Sequence, residues 1–264
     1  MYDFTYHKPT SVADAAALIS KAEDGKLMAG GMTLIPTLKQ RLARPTDVVD
    51  LGGVGGLAGV KKEGNAVVVG AMTTHAAVAG SDVVKGAIPA LADLAAHIGD
   101  PAVRHRGTIG GSIANNDPAA DYPAALVALG ATVTTSKRTI AADKFFTGLF
   151  ETALEDGEIV QSVSFPVPEK AAYMKFRNPA SRYAIVGAFV AKGADGVKVA
   201  ITGAGPGVFR WKDAEAALAK SFAPAAVESL ALKADGLNSD IHASAEYRAH
   251  LVGVMTKRAV AKAG

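Results

Sequence analysis

Ala29-Gly30-Gly31-Met32-Thr33 and, much further along, Thr108-Ile109-Gly110-Gly111-Ser112 repeat one design. Each pairs two glycines and ends in a hydroxyl residue. Paired glycines permit φ > 0 and let a ligand approach bare N–H groups. Successive N–H groups in such a turn form a concavity for anions, phosphate above all, and a flanking Thr or Ser hydroxyl adds a donor. Two such turns in one chain read as two clamps on one extended anionic ligand, such as a dinucleotide diphosphate. Glycine is abundant here, 28 of 264 residues against an average of about 7%, so some pairs carry no ligand. Gly52-Gly53 and Gly55-Gly56 read as a plain flexible connection.

Outward from these turns, helix and strand signals alternate with short connections. Thr10-Ser11 can cap a helix through Ser20, with Val12, Ala15, Ala16, Leu18 and Ile19 on its apolar side. Lys26-Leu27-Met28 reads as a short strand entering the first glycine turn. Leu34 to Leu42 reads as a helix leaving it, with Pro36 tolerated in the first turn. Val48-Val49 and Ala66–Val69 are strand signals, Ala87–Ile98 and Pro123–Leu129 helical ones, and Ile159–Phe165 a strand ended by Pro166. After Pro166-Val167-Pro168 the character changes. Tyr173–Phe176, Ala184–Ala191 and Val197–Thr202 read as consecutive antiparallel strands, followed by helical segments at Lys212–Lys220, Pro224–Leu232 and Ala245–Ala263. This places a boundary near residue 170 and a softer one near 52–56.

Composition narrows the function classes. Hydrophobic residues are 49% and charged residues 20%, enough for sizeable cores. No apolar run approaches the ~18 residues of a membrane span, and the N-terminus lacks the basic and apolar regions of an export signal. The absence of cysteine excludes disulfides, thiolate zinc and cysteine-ligated iron–sulfur clusters within this chain. Lys and Arg number 28 against 25 Asp and Glu, and the basic residues are scattered, which gives no footprint for nucleic acid or an anionic membrane. A cytoplasmic home is the default.

Other motifs say little. There is no G-x-x-x-x-G-K-[ST] and no H-E-x-x-H. Gly203-Ala204-Gly205-Pro206-Gly207 lacks dinucleotide-loop spacing, and its proline cannot donate an N–H, so it reads as a turn. His97 and His105 read as surface or packing residues, and Ser112 and Ser181 have no evident His/Asp partners. Asp117 and Asp121 are open to three readings: metal or acid/base carboxylates, a turn with a helix start at Pro123, or hydrogen bonding to ribose or ribitol hydroxyls.

Several ordered segments resemble the FAD-binding medium subunits of molybdenum hydroxylases, those of aerobic carbon monoxide dehydrogenase above all. They are Ala29–Pro36, Gly70-Ala71-Met72-Thr73-Thr74-His75, Ile98–Asn115 running on into Asp117–Pro123, Ala180-Ser181-Arg182-Tyr183-Ala184 and Ala245-Glu246-Tyr247-Arg248. The resemblance covers essentially the whole chain. It implies an α+β fold: an FAD-binding (PCMH-type) domain of two α/β subdomains, about 1–54 and 55–170, then a domain over 171–264 with a small antiparallel sheet and helices. It also implies that Ala29, Gly30, Gly31, Met32 and Thr33, with Thr108, Ile109, Gly110, Gly111 and Ser112, hold the FAD diphosphate. Lys26, Leu27, Met28 and Leu34 would line the cofactor beside the first turn, with Ile98 and Asn115 flanking the second. Asp121 would bind cofactor hydroxyls, Val160 and Lys175 would make further contacts, and Tyr183 would lie near the flavin face, as in the carbon monoxide dehydrogenase branch. From the residues alone, Tyr183 reads as a strand-start tyrosine in packing. Met32 departs from the polar residue often found at its position, which leaves only backbone contacts there.

The resemblance further implies partners. A large molybdopterin subunit would oxidise the substrate, and a small iron–sulfur subunit would pass electrons to this FAD and on to an external acceptor, in a dimer of heterotrimers. The complex would be cytoplasmic, or peripheral to the inner face of the membrane. No protein acid, base or nucleophile and no metal site is expected. The equivalent subunit of a purine, aldehyde or N-heteroaromatic hydroxylase is the alternative within the superfamily. A non-redox binding or assembly protein on the same fold is the alternative of another class.

Overall fold

The computed structural model describes residues 1–264. Strands Thr5–His7, Gly25–Met28 and Asp47–Asp50 form a small parallel sheet with Asp47–Asp50 in the centre. Parallel pairing needs a crossover, and helix Val12–Lys21 supplies it between the first two strands. Ser11 caps that helix by accepting the Asp14 N–H at 3.0 Å. Ala15 of the helix is fully buried in a small core with Val49, Leu51 and Ile159. The helix after the first glycine turn is Leu34–Lys39, shorter than the pattern to Leu42 suggests. Leu38 is its last buried side chain and Leu42 is 74% exposed, so nothing apolar rewards another turn. The chain leaves through Arg41 at φ 60.

The second unit is a five-stranded antiparallel sheet, ordered Val60–Glu63, Ala66–Gly70, Val160–Pro166, Thr132–Thr135, Thr139–Ala141. Its helices come from residues 75 to 129. The helix expected over Ala87–Ile98 is Pro89–Ala96, and a separate helix, Asp82–Ala87, precedes it. Ile88 between them sits at φ −138, ψ 71, because a following proline disfavours the α conformation. Helix Tyr122–Leu129 is buried at every position. A helix apolar all round has no face for water, and this one lies between the five-stranded sheet and the C-terminal sheet.

The C-terminal sheet is an antiparallel meander of Lys170–Arg177, Ala184–Gly193, Gly196–Thr202 and Phe209–Arg210. Ala184–Gly193 is buried over eight successive residues. Its side chains alternate between two cores: Phe189 and Ala191 join the core around Tyr122–Leu129, while Ala188 and Val190 join the one under helix Ala245–Ala263. The helix expected at Pro224–Leu232 is only the 3₁₀ turn Pro224–Val227, where Val227 is the one buried anchor.

Helix Ala245–Ala263 is fastened by Arg248. This buried guanidinium donates through Nη1 to the carbonyls of Ile185 (2.7 Å) and Gly203 (3.0 Å), and through Nη2 to Asp240 Oδ2 (2.7 Å). Arg248→Met keeps most of the volume and removes all three bonds. Charge-assisted bonds of this kind contribute about 1.5–3 kcal/mol. The variant is expected to lower urea-unfolding stability by roughly 2–4 kcal/mol, and an unchanged midpoint would show that Arg248 only fills space.

Candidate functional site

The two glycine turns meet. A β-carbon placed on Gly30 would lie 1.9 Å from the Arg106 carbonyl oxygen, and one on Gly111 would lie 3.4 Å from Ala29 Cβ. Between and around them is a cavity of about 660 Å³, a size typical of cofactor sites. Its wall runs from Lys26 and Leu27 across both turns to Asp121, Val160 and Tyr183.

The turns differ in physical character. In the first, Gly31 takes φ +74, a left-handed conformation of the kind found in anion-binding concavities. None of the N–H groups of Gly30, Gly31, Met32, Thr33 or Leu34 donates a hydrogen bond within the protein. Thr33 precedes the helix without capping it. The second turn corrects the sequence expectation of bare amides at φ > 0. Gly110 and Gly111 are in the first turn of helix Ile109–Asn115, neither at positive φ. The Ile109 N–H donates to Thr73 O (3.1 Å), Gly110 to Ala71 O (2.8 Å), Gly111 to the capping Thr108 Oγ1 (3.1 Å) and Ser112 to Thr108 O (3.0 Å). The glycines are needed for closeness: a β-carbon on Gly110 would stand 2.6 Å from Ala71 Cβ. The segment Gly70–His75 is thus the strip to which the second turn is bonded, with His75 N–H donating to Gly107 O at 2.9 Å. What this turn offers the cavity is the Gly111 clearance and the side chains of Ser112 and Asn115.

Seventeen of the twenty expected contact residues line the cavity; Met28, Ile109 and Lys175 do not. Met28 lies under Gly31, its Sδ 3.6 Å from where that β-carbon would be. Ile109 is fully buried in the core. Lys175 Nζ donates to His97 O (2.9 Å) and is ion-paired with Asp121 (2.9 Å), both side chains 4% exposed. Asp121 also accepts from Tyr173 Oη at 2.5 Å. Burial raises the Asp121 pKa, and the Lys175 charge opposes that. Asp117 closes a turn instead, accepting the Ala119 N–H at 2.8 Å.

Tyr183 stands 47% exposed at the cavity mouth, at the end of the loop joining Arg177 to Ala184. Burial, then the charges of Asp117 and Asp121, raises its hydroxyl pKa. Asn178 shapes the loop, its Oδ1 accepting from Ala180 and Ser181 N–H (2.9 and 3.2 Å). Arg182, at φ 62, lines the mouth beside it. The Gly52-Gly53 stretch, expected to be flexible, is a 3₁₀ turn capped by Asp50, and a β-carbon on Gly53 would meet Pro9 O at 2.7 Å. Gly55 and Gly56 are open.

Sequence reasoning missed His75, Glu158 and Arg182 as cavity-lining residues; His75 and Arg182 lay within the segments Gly70–His75 and Ala180–Ala184 but had no assigned role. His75 is 4% exposed, stacks obliquely on Tyr122 at 5.4 Å, and its Nδ1 has no partner. Burial, with the Arg104 charge, lowers its pKa to about 4. Burial alone would raise Glu158, but hydrogen bonds from Arg138, Thr135 and the Glu155 N–H, with the Arg138 charge, bring it to about 2. These shifts set separate windows. Between about pH 4 and 6.5 the unfolded chain binds a proton at His75 that the folded chain refuses, so stability falls as pH drops through that range, by roughly 3 kcal/mol in all. The Glu158 stabilisation is complete above its unfolded value near 4.5 and is lost as pH falls toward 2. Urea midpoints from pH 7 to 4 are expected to flatten in His75→Gln, and an unchanged slope would assign the pH dependence elsewhere.

Comparison with known proteins places the chain in a family. Residues 2–168 match the family model of the FAD binding domain in molybdopterin dehydrogenase, and residues 171–263 that of the CO dehydrogenase flavoprotein C-terminal domain. The chain is 38% identical to the carbon monoxide dehydrogenase medium chain of Afipia carboxidovorans over 278 residues, covering 98% of this chain and 96% of that one. It is 38% identical over 274 residues to the nicotine 6-hydroxylase medium subunit of Paenarthrobacter nicotinovorans, covering 98% and 96%. A crystal structure of the cyanide-inactivated Cu,Mo-CO dehydrogenase superposes with a TM-score of 0.89 at 36% identity, covering 100% of this chain and 98% of that one. The chain belongs to the family of FAD-binding medium subunits of molybdenum hydroxylases, and is an oxidoreductase subunit whose cofactor is FAD.

Proposed function

We propose that this chain is the electron-transfer subunit of a molybdenum hydroxylase of the carbon monoxide dehydrogenase type, receiving electrons from an iron–sulfur partner subunit and delivering them to an external acceptor. The observation that carries the reading is the run of five unpartnered backbone N–H groups, Gly30 to Leu34, on the cavity wall opposite Gly111. Such a run fits a diphosphate, and it would leave a neutral apolar ligand facing unsatisfied donors. FAD, when bound, supplies the redox chemistry, and the protein supplies binding, orientation and electrostatics.

The roles of this chain follow from the cavity. The Gly30–Leu34 amides hold the diphosphate, and Ser112 and Asn115 add side-chain polar groups from the other turn. Asp121 takes a cofactor hydroxyl, since a carboxylate has about four acceptor sites and the contacts of Tyr173 with Oδ1 and of Lys175 with both oxygens leave acceptor capacity free. Tyr183 borders the ring. No cysteine is present, which suits a subunit whose clusters reside in a partner. The substrate is set in a molybdopterin-bearing large subunit, which accords with equal identity to relatives named for carbon monoxide and for nicotine. We place the chain in a dimer of heterotrimers. No helix is long and apolar enough to cross a membrane.

Three experiments test this reading. The purified chain, or the chain mixed with FAD, is expected to show bound-flavin absorption. Gly111→Val is expected to weaken FAD binding roughly a hundredfold, about 3 kcal/mol, while Gly55→Val, facing open space, leaves it unchanged. Equal loss from both would reveal a general stability effect. Tyr183→Ala is expected to raise flavin fluorescence and alter reoxidation in the assembled complex while moving FAD affinity little, because an aromatic contact adds only about 0.5–1.5 kcal/mol beyond burial. Wild-type fluorescence and reoxidation with a lowered melting temperature would make Tyr183 a packing residue.

A further inference from the structure

Asp121 stands at the start of helix Tyr122–Leu129, yet its side chain caps no helix N–H. It turns the other way, to Tyr173 and Lys175. Those two residues alternate along strand Lys170–Arg177, so they project from one face of the C-terminal sheet. The sheet also grips the chain just before Asp121. Thr202 Oγ1, fully buried, donates to Ala120 O (2.6 Å) and Pro118 O (3.0 Å), and the Gly203 N–H donates to Pro118 O (2.8 Å).

The Tyr173 hydroxyl reaches Asp121 because the neighbouring strand leaves room. Gly187 pairs with Lys175 in the register, and a β-carbon there would lie 2.3 Å from Tyr173 Oη and 2.9 Å from Thr202 Cγ2. Tyr173 itself is 3% exposed and does not line the cavity, whereas Asp121 does. Lys175 Nζ, held also by His97 O, lies against both carboxylate oxygens and supplies charge. The rigid phenol supplies direction.

We propose that Tyr173 is a positioning residue for the cofactor site: its hydroxyl, seated in the space left by Gly187, holds the Asp121 carboxylate toward the cavity, so FAD retention depends on a side chain that never touches FAD. The proposal rests on the reading that Asp121 takes an FAD hydroxyl. Under it, the carboxylate is set by the C-terminal sheet, and the site is a composite of both halves of the chain.

A double-mutant cycle on the full chain tests this. FAD dissociation constants are measured by fluorescence titration for wild type, Tyr173→Phe, Asp121→Asn and the double variant, with melting temperatures of the FAD-free proteins alongside. Tyr173→Phe is expected to weaken FAD about tenfold, as loss of one charge-assisted hydrogen bond allows, and to change it less than about twofold when Asp121 is already Asn. If Asp121→Asn does not fold, Asp121→Asn/Lys175→Met, which removes both buried charges, serves as the background. Wild-type affinity in Tyr173→Phe with weakened Asp121→Asn overturns the positioning role and leaves the FAD reading standing. Equal weakening by Tyr173→Phe in both backgrounds also overturns it, assigning Tyr173 to packing. Unchanged affinity in Asp121→Asn removes the reading on which the proposal rests.

Discussion

The Arg106 carbonyl oxygen occupies the place where residue 30 would carry a β-carbon, 1.9 Å away. That backbone contact joins the small parallel sheet to the helices of the second unit. Only glycine allows it, since a side chain at residue 30 would push the two apart by more than an ångström. Everything on the cavity wall depends on this approach. The first turn carries the N–H groups, the second carries Gly111, Ser112 and Asn115, and the cavity exists only while both are held at this separation.

The two turns divide the work unequally. The second spends its amides on Thr73, Ala71 and Thr108, so it is a rigid part of the core. The first leaves five successive donors without protein partners. An unsatisfied buried donor costs about 1–3 kcal/mol, so such a run is tolerable only where water or an anion reaches it. The polar demand of the site is therefore concentrated in one short loop whose geometry is set by Gly31 at φ +74 and by the fixed surface opposite. His75, kept neutral by burial, lines the same cavity without adding charge at neutral pH.

How much of this was legible in the residues follows from the range of each constraint. Segments with a local signal formed where expected: Lys212–Lys220 and Ala245–Ala263 have their expected bounds, and Lys26–Met28 enters the first turn as a strand. Helix ends that depend on tertiary burial did not, as Leu42 and the Pro224–Val227 turn show. The glycine pairs look alike in sequence and stand in unlike surroundings. Gly30 is squeezed and Gly31 left-handed, Gly110 is pressed on Ala71, Gly53 abuts Pro9, and Gly55 faces open space. Spacing cannot distinguish these, because what surrounds each glycine comes from segments distant in the chain. Tyr173 was illegible for the same reason: its partner is 52 residues away, and the room for its hydroxyl is made by strand register with Gly187.

Strand Ala184–Gly193, with its side chains divided between two cores, has an evolutionary consequence. The change in sequence character near residue 170 looks like a seam at which modules could be exchanged. Yet Tyr173, Phe189, Ala191 and Ala200 complete a core whose other buried members lie before that seam, around Tyr122–Leu129. A recombinant that joined one relative's front half to another's back half would have to match shapes across this buried surface. Close-packed interiors tolerate such mismatch poorly. The two halves are accordingly coupled through one shared buried core.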